Sequence, residues 1–513
     1  MVSIIMIKRI TLSLVALAVA STFTAPTQAA GFKLYEQSTS AMGNAYAGRG
    51  AQINDASVGY SNPAAFVKLD QAQYSVGLNV LNLDGEFKNA KATSAPGLPV
   101  TGKEADTLSS ISAIPHFHYY QPLNNKLGFG LSVAVPFATS SEYEDDFVGR
   151  YFAKQTEFKV ISVQPAISYL VNDKLSIGAA VAINYASGTL SKFKDHNGLC
   201  EIGSGINATY SQLSQGTFND VAQSAYCDSF YEVSGDDLKL SYTLGLHYQA
   251  TDALALALSY QSAVDYTLEG DSTINNTPIT GEFVPFTPNP EQYWTAPTIP
   301  GIVDGSKMPV VDLTTGKLAV SPAKSEASTL DLNTPMSVAL SADYKVNTEL
   351  SIQLGAIWTQ WSKFTDISVL SADSKPSISA STQQEQNLNA PGHIGYIPEY
   401  WQDVWAYSVG ATYQVNDQWQ IKAGIAEDKS PVNGQYRSAR IPANDRTWLT
   451  VGANYQNNES WNVDFAAGLM HMKETTVIDG EYNAQDVALY NSMYQADYKI
   501  NAYVVSLQFN YFL

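Results

Sequence analysis

The last eleven residues of the chain, Tyr503-Val504-Val505-Ser506-Leu507-Gln508-Phe509-Asn510-Tyr511-Phe512-Leu513, alternate between two kinds of side chain. One face carries large apolar groups and the other carries polar groups: Tyr503, Val505, Leu507, Phe509, Tyr511 and Leu513 against Ser506, Gln508 and Asn510. A period of two is typical of a β-strand whose two faces meet different surroundings. This stretch therefore predicts a strand with an apolar outward face and a polar inward face.

The same alternation recurs along the chain, for example over 175–185, 350–358 and 405–415. Short turn signals rich in Asn and Asp separate such runs and are typical of links between antiparallel strands. These signals are Leu123-Asn124-Asn125, Val171-Asn172-Asp173, Thr251-Asp252, Val346-Asn347-Thr348, Val415-Asn416-Asp417 and Asn457-Asn458-Glu459. Six turns join twelve strands, and one run before the first turn and one after the last bring the predicted total to about fourteen.

Composition favours a membrane β-barrel over the other fold classes. The 513 residues include 29 Lys+Arg and 48 Asp+Glu, a net charge of −19 that argues against a nucleic-acid partner. Charged residues make up 15% of the chain, below the roughly 25% of soluble domains. After the N-terminus, no window approaches the roughly 20 apolar residues that a membrane helix requires. Few charges and 11% aromatics fit strands that alternate between lipid and lumen.

The lengths of the connections separate the barrel from a soluble β-sandwich, which would also alternate. One set of connections is tight, whereas the other includes long stretches such as 191–231 and 271–328. Short turns at one end and long loops at the other are typical of outer-membrane barrels. We therefore predict an all-β fold, a 14-stranded antiparallel transmembrane β-barrel over 72–513 with long extracellular loops.

The N-terminus predicts export and a plug. Residues 1–29 have the pattern of a signal peptide, with Lys8 and Arg9 ahead of a short apolar run; a short hydrophobic anchor is the alternative. Export would expose Cys200 and Cys227 to an oxidising compartment, which makes them candidates for a disulfide in one loop. Residues 30–71 are rich in Gly and Ala and do not alternate cleanly, so we predict a small N-terminal hatch inside the barrel, which wall side chains alone would not fill.

Several motifs in chain order resemble the FadL family of outer-membrane transporters for long-chain fatty acids and other hydrophobic compounds. The N-terminal matches are the start at Ala30-Gly31-Phe32, the stretch 42–48 and, above all, Asn62-Pro63-Ala64. Matches in the predicted barrel are Gly149-Arg150-Tyr151, Thr334-Pro335-Met336, Trp358 with Trp361-Ser362-Lys363-Phe364, Asp428-Lys429-Ser430-Pro431-Val432, and Ile441-Pro442 with Asp445-Arg446-Thr447-Trp448. The family's fourteen-stranded barrel agrees with the turn count; ending on Leu513 instead of Phe is a departure.

The resemblance implies a lateral transport mechanism. In that family the third strand is kinked and opens the wall sideways, which places the gate here at Val135, Pro136 and Phe137. Pro136 cannot donate a ladder hydrogen bond, so a bulge that only shapes the rim is the alternative. Resemblance also implies that Phe32 reaches into a ligand pocket and that the Asn62-Pro63-Ala64 turn contacts the wall near the kink. Without the family pattern, Asn-Pro is an ordinary turn.

Two further sets of residues are candidates for ligand contacts. The loop 271–328 is crowded with apolar groups, and it corresponds to a family loop that forms part of a capture groove; its candidates are Phe283, Val284, Phe286 and Trp294. A loop that packs on itself or on lipopolysaccharide would have the same composition. Alternation places Lys239, Lys422 and Arg446 on inward faces, as anchors for a carboxylate. Lumen cations that pair with inward acids are the alternative for each.

Together with the resemblance, these features predict a transporter of long-chain fatty acids without cofactor or metal, inserted by the barrel-assembly machinery into a Gram-negative outer membrane containing lipopolysaccharide. The resemblance alone implies that it is a monomer. Uptake of aromatic hydrocarbons or other small hydrophobic compounds is the alternative, and a general porin is a weaker one. An outer-membrane lipid-cleaving enzyme would require a Ser/His/acid set, and none of the 6 histidines falls in such a pattern. We therefore expect no enzyme activity.

Overall fold

The computed structural model describes most of the chain beyond the N-terminal export pattern. The described residues are 31–94, 97–196, 228–277, 279–282, 307–309, 311–312, 317–318, 320–373, 378, 392–483 and 486–513. The predicted signal peptide, Cys200, Cys227, Phe283, Val284, Phe286 and Trp294 lie outside these residues. Among the described residues, no helix has the length and apolar character needed to cross a membrane.

Fourteen antiparallel strands close into a barrel, as the turn signals predicted. The first six are β1 Gln73–Thr93, β2 Ser110–Asn124, β3 Leu127–Glu142, β4 Gln155–Asn172, β5 Leu175–Asp195 and β6 Asp228–Gln249. The next four strands each consist of two segments, as does β13 below: β7 Leu254–Gln261 and Val264–Ile274, β8 Lys324–Thr334 and Ser337–Lys345, β9 Leu350–Thr359 and Asp366–Ser371, β10 His393–Pro398 and Val404–Gln414. The rest are β11 Trp419–Asp428, β12 Arg446–Asn458, β13 Trp461–Met472 with Thr475–Tyr482, and β14 Ala488–Phe512. Antiparallel pairing of β14 with β1 closes the cylinder.

The helices and strands that do not belong to the barrel wall are short. The N-terminal segment contains α1 Thr39–Met42, α2 Val58–Ser61 and a 3₁₀ helix at Pro63–Lys68. A second 3₁₀ helix, Trp361–Lys363, interrupts β9. The remaining strands are Asp106–Thr107, which pairs with β1, and Thr280–Glu282, Lys307–Pro309, Val311–Asp312 and Lys317–Leu318, which form two small hairpin pairs.

The predicted turns close through their asparagine side chains. The Asn124 carboxamide oxygen accepts hydrogen bonds from the backbone N–H groups of Lys126 and Leu127, at 2.9 and 3.0 Å. Asn172, Asn347 and Asn416 cap their own turns in the same way. An asparagine that satisfies backbone donors stabilises a tight turn, which is why this residue marks the links between strands.

The two faces of the wall differ as the alternation predicted. In β14 the apolar residues Tyr503, Val505 and Leu507 are exposed on the outside, whereas Ser506 and Gln508 are buried inside. Buried polar residues inside the cylinder need hydrogen-bond partners. Many of these partners come from the N-terminal segment 31–71, whose residues are mostly buried.

Candidate functional site

Phe32 lies in an aromatic cage, which we define as the rings of Phe137, Phe158, Trp361, Phe364 and Trp401. Its ring centroid lies 4.8 Å from that of Trp361, 5.3 Å from those of Phe158 and Phe364, 5.5 Å from that of Trp401 and 6.1 Å from that of Phe137. Most of these pairs meet edge to face, the geometry that aromatic quadrupoles favour. Phe32 is 3% exposed, so its own side chain fills the apolar pocket.

The residues around Phe32 pair with the kinked strand. We call residues 31–35 the strap. Leu34 donates its N–H to the carbonyl of Pro136 at 2.8 Å, and Ala138 donates its N–H to the carbonyl of Phe32 at 2.9 Å. Lys33 forms an antiparallel bridge with Phe137. The strap therefore satisfies backbone groups of β3 at the predicted gate residues.

The wall separates at the same place. The β2–β3 ladder runs from Asn124↔Leu127 to Phe117↔Val133 and ends there, although β2 continues to Ser110 and β3 to Glu142. The β3–β4 ladder is also irregular: Ala134 pairs with Ser162 but Phe137 pairs with Val160, so β3 carries one extra residue. An extra residue of this kind is a β-bulge, which bends a strand. Val135 and Pro136 form the bulge, and all three predicted gate residues are buried.

A recess of about 680 Å³ lies between the separated strands. Its lining includes Ser110 and Ile111 from β2 and residues 140–142 from β3. Leu83 of β1 and Ile500 of β14 also line it, and the charged members of the lining are Lys103, Asp106, Glu142, Glu144, Lys154 and Glu157. Ile111 is 64% exposed at this opening. The recess therefore borders the bulged strand beyond the bulge itself, since Val135, Pro136 and Phe137 are not part of its lining.

Beyond the strap, the N-terminal segment is tied to the wall by polar bonds. Asn79 donates to the carbonyl of Glu36 at 2.8 Å, and Gln508 accepts the N–H of Thr39 at 3.0 Å. His118 of β2 bonds through Nε2 to the carbonyl of Gln37 at 2.9 Å. A carbonyl can only accept, so Nε2 carries the proton. Gln37 in turn donates its side-chain amide to the carbonyls of Leu34 and Val135, which connects this bond to the bulge.

The Asn62-Pro63-Ala64 turn packs against β5 and β6. Asn62 accepts the N–H of Ala64 at 3.1 Å and donates its amide to the carbonyl of Leu246 at 3.1 Å. Ser176 donates to the carbonyl of Ala64 at 2.8 Å. A Cβ at Gly178 would overlap the Pro63 backbone, so glycine lets the turn approach the wall closely. The Asn62 amide also donates to the carbonyl of Gly50 at 3.0 Å. The turn's hydrogen bonds to the wall are thus with β5 and β6, whereas Phe66, in the 3₁₀ helix that follows, packs at Gly130 of β3.

The three predicted carboxylate anchors have protein partners. Lys239 forms an ion pair with Asp237 at 3.1 Å. Lys422 donates to the carbonyl of Ser40 at 3.0 Å and lies 3.5 Å from Asp464, so it holds the N-terminal segment to the wall. Arg446 lies 4.0 Å from Asp428 and is buried. All three are engaged by acceptors of the protein itself, as in the alternative considered for them.

Arg440, which the sequence motifs did not single out, has a different environment. It lines an outer cleft of about 100 Å³ together with apolar residues, among them Val233, Ile274, Val369 and Ile394. The other charged residues of the lining are Lys192, Lys194, Asp479 and Glu481. Its guanidinium donates to the carbonyls of Gln155 at 2.9 Å and Ser191 at 3.0 Å, which fix its position. Burial lowers the pKa of Arg440 to about 10, so the group is still cationic at neutral pH. The sequence signal was its place beside the matched Ile441-Pro442 pair, as a charge among small and apolar residues.

The outer cleft and the cage belong to one apolar cluster. The cluster contains Phe32 and the five cage rings together with Val233, Ile274, Val369 and Ile394 of the cleft. Apolar contact is therefore continuous from the cleft to the bulged strand. Among the described residues, no group of three or more His, Cys, Asp and Glu side chains could hold a metal ion.

Comparison with known proteins agrees with this architecture. The family described as "Outer membrane protein transport protein (OMPP1/FadL/TodX)" matches residues 18–512. The long-chain fatty acid transport protein of Escherichia coli K12 is 25% identical over 460 residues, which cover 88% of this chain and 90% of that protein.

Two solved structures share the fold. A FadL homologue of Pseudomonas aeruginosa superposes with a TM-score of 0.72 at 22% identity, covering 94% of this chain and 99% of that one. The toluene transporter TodX of Pseudomonas putida superposes with a TM-score of 0.56 at 16% identity, with the same coverage. The names of the Escherichia coli and Pseudomonas putida proteins describe transport, of long-chain fatty acids and of toluene respectively.

Proposed function

This chain belongs to the OMPP1/FadL/TodX family of outer membrane transport proteins, which places it in a Gram-negative outer membrane, and from this premise we propose that it imports long-chain fatty acids. The acid is captured in the outer cleft, moves into the cage in place of Phe32, and leaves sideways between β2 and β3. The continuous apolar cluster from the cleft to the bulged strand is the observation that carries this proposal.

An apolar route suits an acyl chain because each CH₂ group gains roughly 0.8 kcal/mol when it leaves water. A polar pore would forfeit this gain along the whole chain. In the cage, Phe32 already occupies apolar space that a ligand can occupy once the ring moves. Ligand entry thus competes with the packing of one side chain.

Arg440 favours an acidic ligand over a purely apolar one. Among the described residues, no carboxylate lies within ion-pair distance of its guanidinium, which the carbonyls of Gln155 and Ser191 hold in place. A buried guanidinium forms strong charge-assisted hydrogen bonds with a carboxylate. An acid can therefore place its head at Arg440 and its tail along the apolar wall of the cleft.

The lateral exit is supported by the end of the β2–β3 ladder, the bulge and the recess between the strands. An exit through the wall delivers an acyl chain directly into lipid and avoids water. Movement of the strap would free the carbonyl of Pro136 and the N–H of Ala138 at the same point. The strap therefore connects occupation of the cage to the gate.

Uptake of aromatic hydrocarbons is the second candidate. The five rings around Phe32 offer edge-to-face contacts that a small aromatic molecule could accept as well as an alkyl chain. A toluene transporter also shares the fold. This candidate predicts no role for Arg440.

The test is uptake of labelled oleate and toluene by a bacterial strain that lacks its own transporter and expresses this protein. A double variant, Pro136→Ala with Phe137→Ala, tests the gate, and Arg440→Gln tests the head-group contact. Pro165→Ala is the matched control because Pro165 is a wall proline of the neighbouring strand β4 that pairs with Leu131 of β3, outside the bulge. Equal amounts of folded, surface-displayed protein are confirmed for each variant.

We expect oleate uptake by the wild type and the control, at least tenfold less in the gate variant, and several-fold less in Arg440→Gln. Uptake of toluene alone, unaffected by Arg440→Gln, would move the assignment to aromatic hydrocarbons. A folded wild type that imports neither compound would overturn the transport proposal. A large steady ion current in a planar bilayer would instead indicate a porin.

A further inference from the structure

A small cavity of about 50 Å³ lies on the side of the strap away from the cage. The strap contributes Lys33 and Leu34 to its lining, and the bulge contributes Pro136. Phe32 and Lys33 are adjacent in an extended segment, so their side chains point to opposite faces. The strap therefore separates the apolar cage from this second cavity.

Two cationic side chains line the cavity. Lys33 is 8% exposed, and among the residues that the structure describes, its ε-amino group has no hydrogen-bond or ion-pair partner. Arg49 donates from Nε to the hydroxyl of Ser61 at 2.9 Å and from Nη2 to the amide oxygen of Gln37 at 3.2 Å. Within the described part of the chain, no carboxylate lies within ion-pair distance of either group. The Arg49 guanidinium also lies 5.6 Å from the ring centroids of Tyr35 and Tyr46, which are neutral groups. Buried cations without a carboxylate in contact attract an anion.

The rest of the lining can also bind an anion through donors. Its polar members are Gln37, Tyr60, Ser61, Thr243, Ser259, Gln261, Ser337 and Ser341, which are hydroxyl or amide groups. The acids that interact electrostatically with the two cations are Glu36 and Asp428. Neither acid lines the cavity. The Glu36 carboxylate accepts the backbone N–H of Tyr35 instead, at 2.9 Å.

Lys33 is also poised to respond to an anion. Burial, together with the neighbouring Arg49, lowers its pKa to about 7. A negative charge in the cavity would oppose both effects by favouring the ammonium form.

We propose that this cavity, lined by Lys33 and Arg49, is an anion subsite that takes the carboxylate of the transported molecule. The inference rests on the proposed function and extends it to the head group inside the barrel. When the strap moves, the cage and the cavity become continuous, so one ligand can place its tail in the cage and its carboxylate against Lys33. The volume accommodates a carboxylate group or a small inorganic anion, and not an acyl chain.

The test compares ligands with the same tail and different heads. Uptake of oleate and of oleyl alcohol is measured for the wild type, Lys33→Met, Arg49→Met and the double variant. Lys68→Met is the matched control, because Lys68 belongs to the same N-terminal segment but bonds to the carbonyl of Asp173 away from the cavity. Arg49→Lys retains the charge and reports whether charge or shape matters.

We expect oleate uptake to fall about tenfold in each single Met variant and further in the double variant, with oleyl alcohol uptake within twofold of wild type. Arg49→Lys should recover most of the oleate uptake. Equal loss of both ligands would assign a structural role to the two cations and overturn the proposal, as would unchanged uptake of both. A wild type that imports neither ligand would instead overturn the proposed transport function.

Binding of inorganic phosphate or chloride to the purified protein in detergent separates the two sources of an anion. Competition of these ions with oleate that disappears in Lys33→Met supports a shared carboxylate subsite. Binding of the ions that depends on Lys33 and leaves oleate affinity unchanged would assign the cavity to free anions and overturn the head-group role.

Discussion

Two seams of the barrel differ in how far their strands stay together. Along the β5–β6 seam, the residues from Leu175 to Asp195 pair without interruption with those from Tyr248 to Asp228. Along the β2–β3 seam, pairing stops at Phe117↔Val133, although both strands continue. Beyond that point β2 still pairs with β1, and β3 still pairs with β4. The opening thus lies between two strands that each remain paired on their other side, and short strands are not its cause.

The comparison shows how the opening is stabilised. The bulge at Val135 and Pro136 turns β3 away from β2, and Pro136 has no N–H to offer β2 in any case. The strap supplies part of the missing pairing through Leu34 and Phe32. Unpaired backbone groups at a strand edge are costly inside a barrel wall. A strap that pairs with this edge and can move away is therefore a physically reasonable gate.

Removing the bulge is the most direct way to make the β2–β3 seam resemble the β5–β6 seam. Deleting Pro136 leaves equal numbers of residues on β3 and β4 between the flanking pairs, so the β3 ladder should become regular like that of β5. We expect uptake of labelled oleate to fall at least tenfold because β3 can then lie along β2. Heat-modifiable electrophoretic mobility verifies folding, and wild-type uptake by the folded deletion variant would contradict the gate.

Removing the ring that the strap places in the cage should have the next largest effect. Truncating a buried Phe to Ala typically costs about 3–5 kcal/mol in lost packing. In Phe32→Ala, a ligand no longer has to displace that ring, so we expect the Kd for oleate to fall about tenfold. Quenching of tryptophan fluorescence measures the Kd, since Trp361 and Trp401 belong to the cage.

Phe66→Ala is the control for this experiment, because Phe66 also belongs to the N-terminal segment but stacks on Tyr120, at a centroid distance of 5.7 Å. Its Kd for oleate should equal that of the wild type. A Kd that is unchanged or higher in Phe32→Ala would show that the ring does not compete with the ligand.

The seams also show what the sequence could predict. Alternation and Asn turns predicted the fourteen strands and the inward and outward faces, because these properties depend on neighbours along one strand. Pro136 marked the position of the bulge for the same local reason. The end of β2–β3 pairing depends on two strands and the strap together, which no local pattern encodes.

The environment of the cations was beyond sequence reasoning for a similar reason. Alternation predicts inward faces for Lys422 and Arg446, and both side chains are buried, but it gives no sign of the Ser40 carbonyl or the Asp428 carboxylate beside them. Arg440 lies in a loop, where alternation gives no direction. Whether a charge is paired depends on residues far apart in sequence, so only the folded chain distinguishes these groups.

A smaller effect should follow from removing the side-chain hydrogen bonds beside the last residue pair of the β2–β3 seam. His118 bonds to Gln37 and, through Nδ1, to the hydroxyl of Ser132 at 2.9 Å, beside the final pair Phe117↔Val133. Leaving buried partners unsatisfied costs about 1–3 kcal/mol. In His118→Ala, amide hydrogen exchange over 128–134 should therefore rise about tenfold, while exchange along β5 stays the same. His471→Ala is the control, since His471 is exposed. Equal exchange rates over 128–134 in both variants would show that the His118 hydrogen bonds do not stabilise the end of the β2–β3 ladder.

The smallest expected effect is a pH dependence at the rim of the cage, where Glu399 accepts the indole N–H of Trp401 at 2.6 Å. Burial raises the pKa of Glu399 from 4.5 to about 8, with Asp479 and Asp366 acting in the same direction and Arg440 against them. A raised carboxyl pKa means that the folded state favours the protonated form. Its contribution to stability is complete below pH 4.5 and is lost as the pH rises towards 8, at up to 1.36 kcal/mol per pH unit.

Tryptophan fluorescence of the purified protein should therefore change with a midpoint near pH 8. Glu399→Gln, which cannot ionise, should remove the transition and leave the fluorescence flat across this range. A transition that persists in the variant would assign the titration to another group. Because Trp401 packs on Phe32, the same titration also tests whether the environment of Trp401 depends on the strap. Phe32→Ala should alter the amplitude of the fluorescence transition and leave its midpoint unchanged.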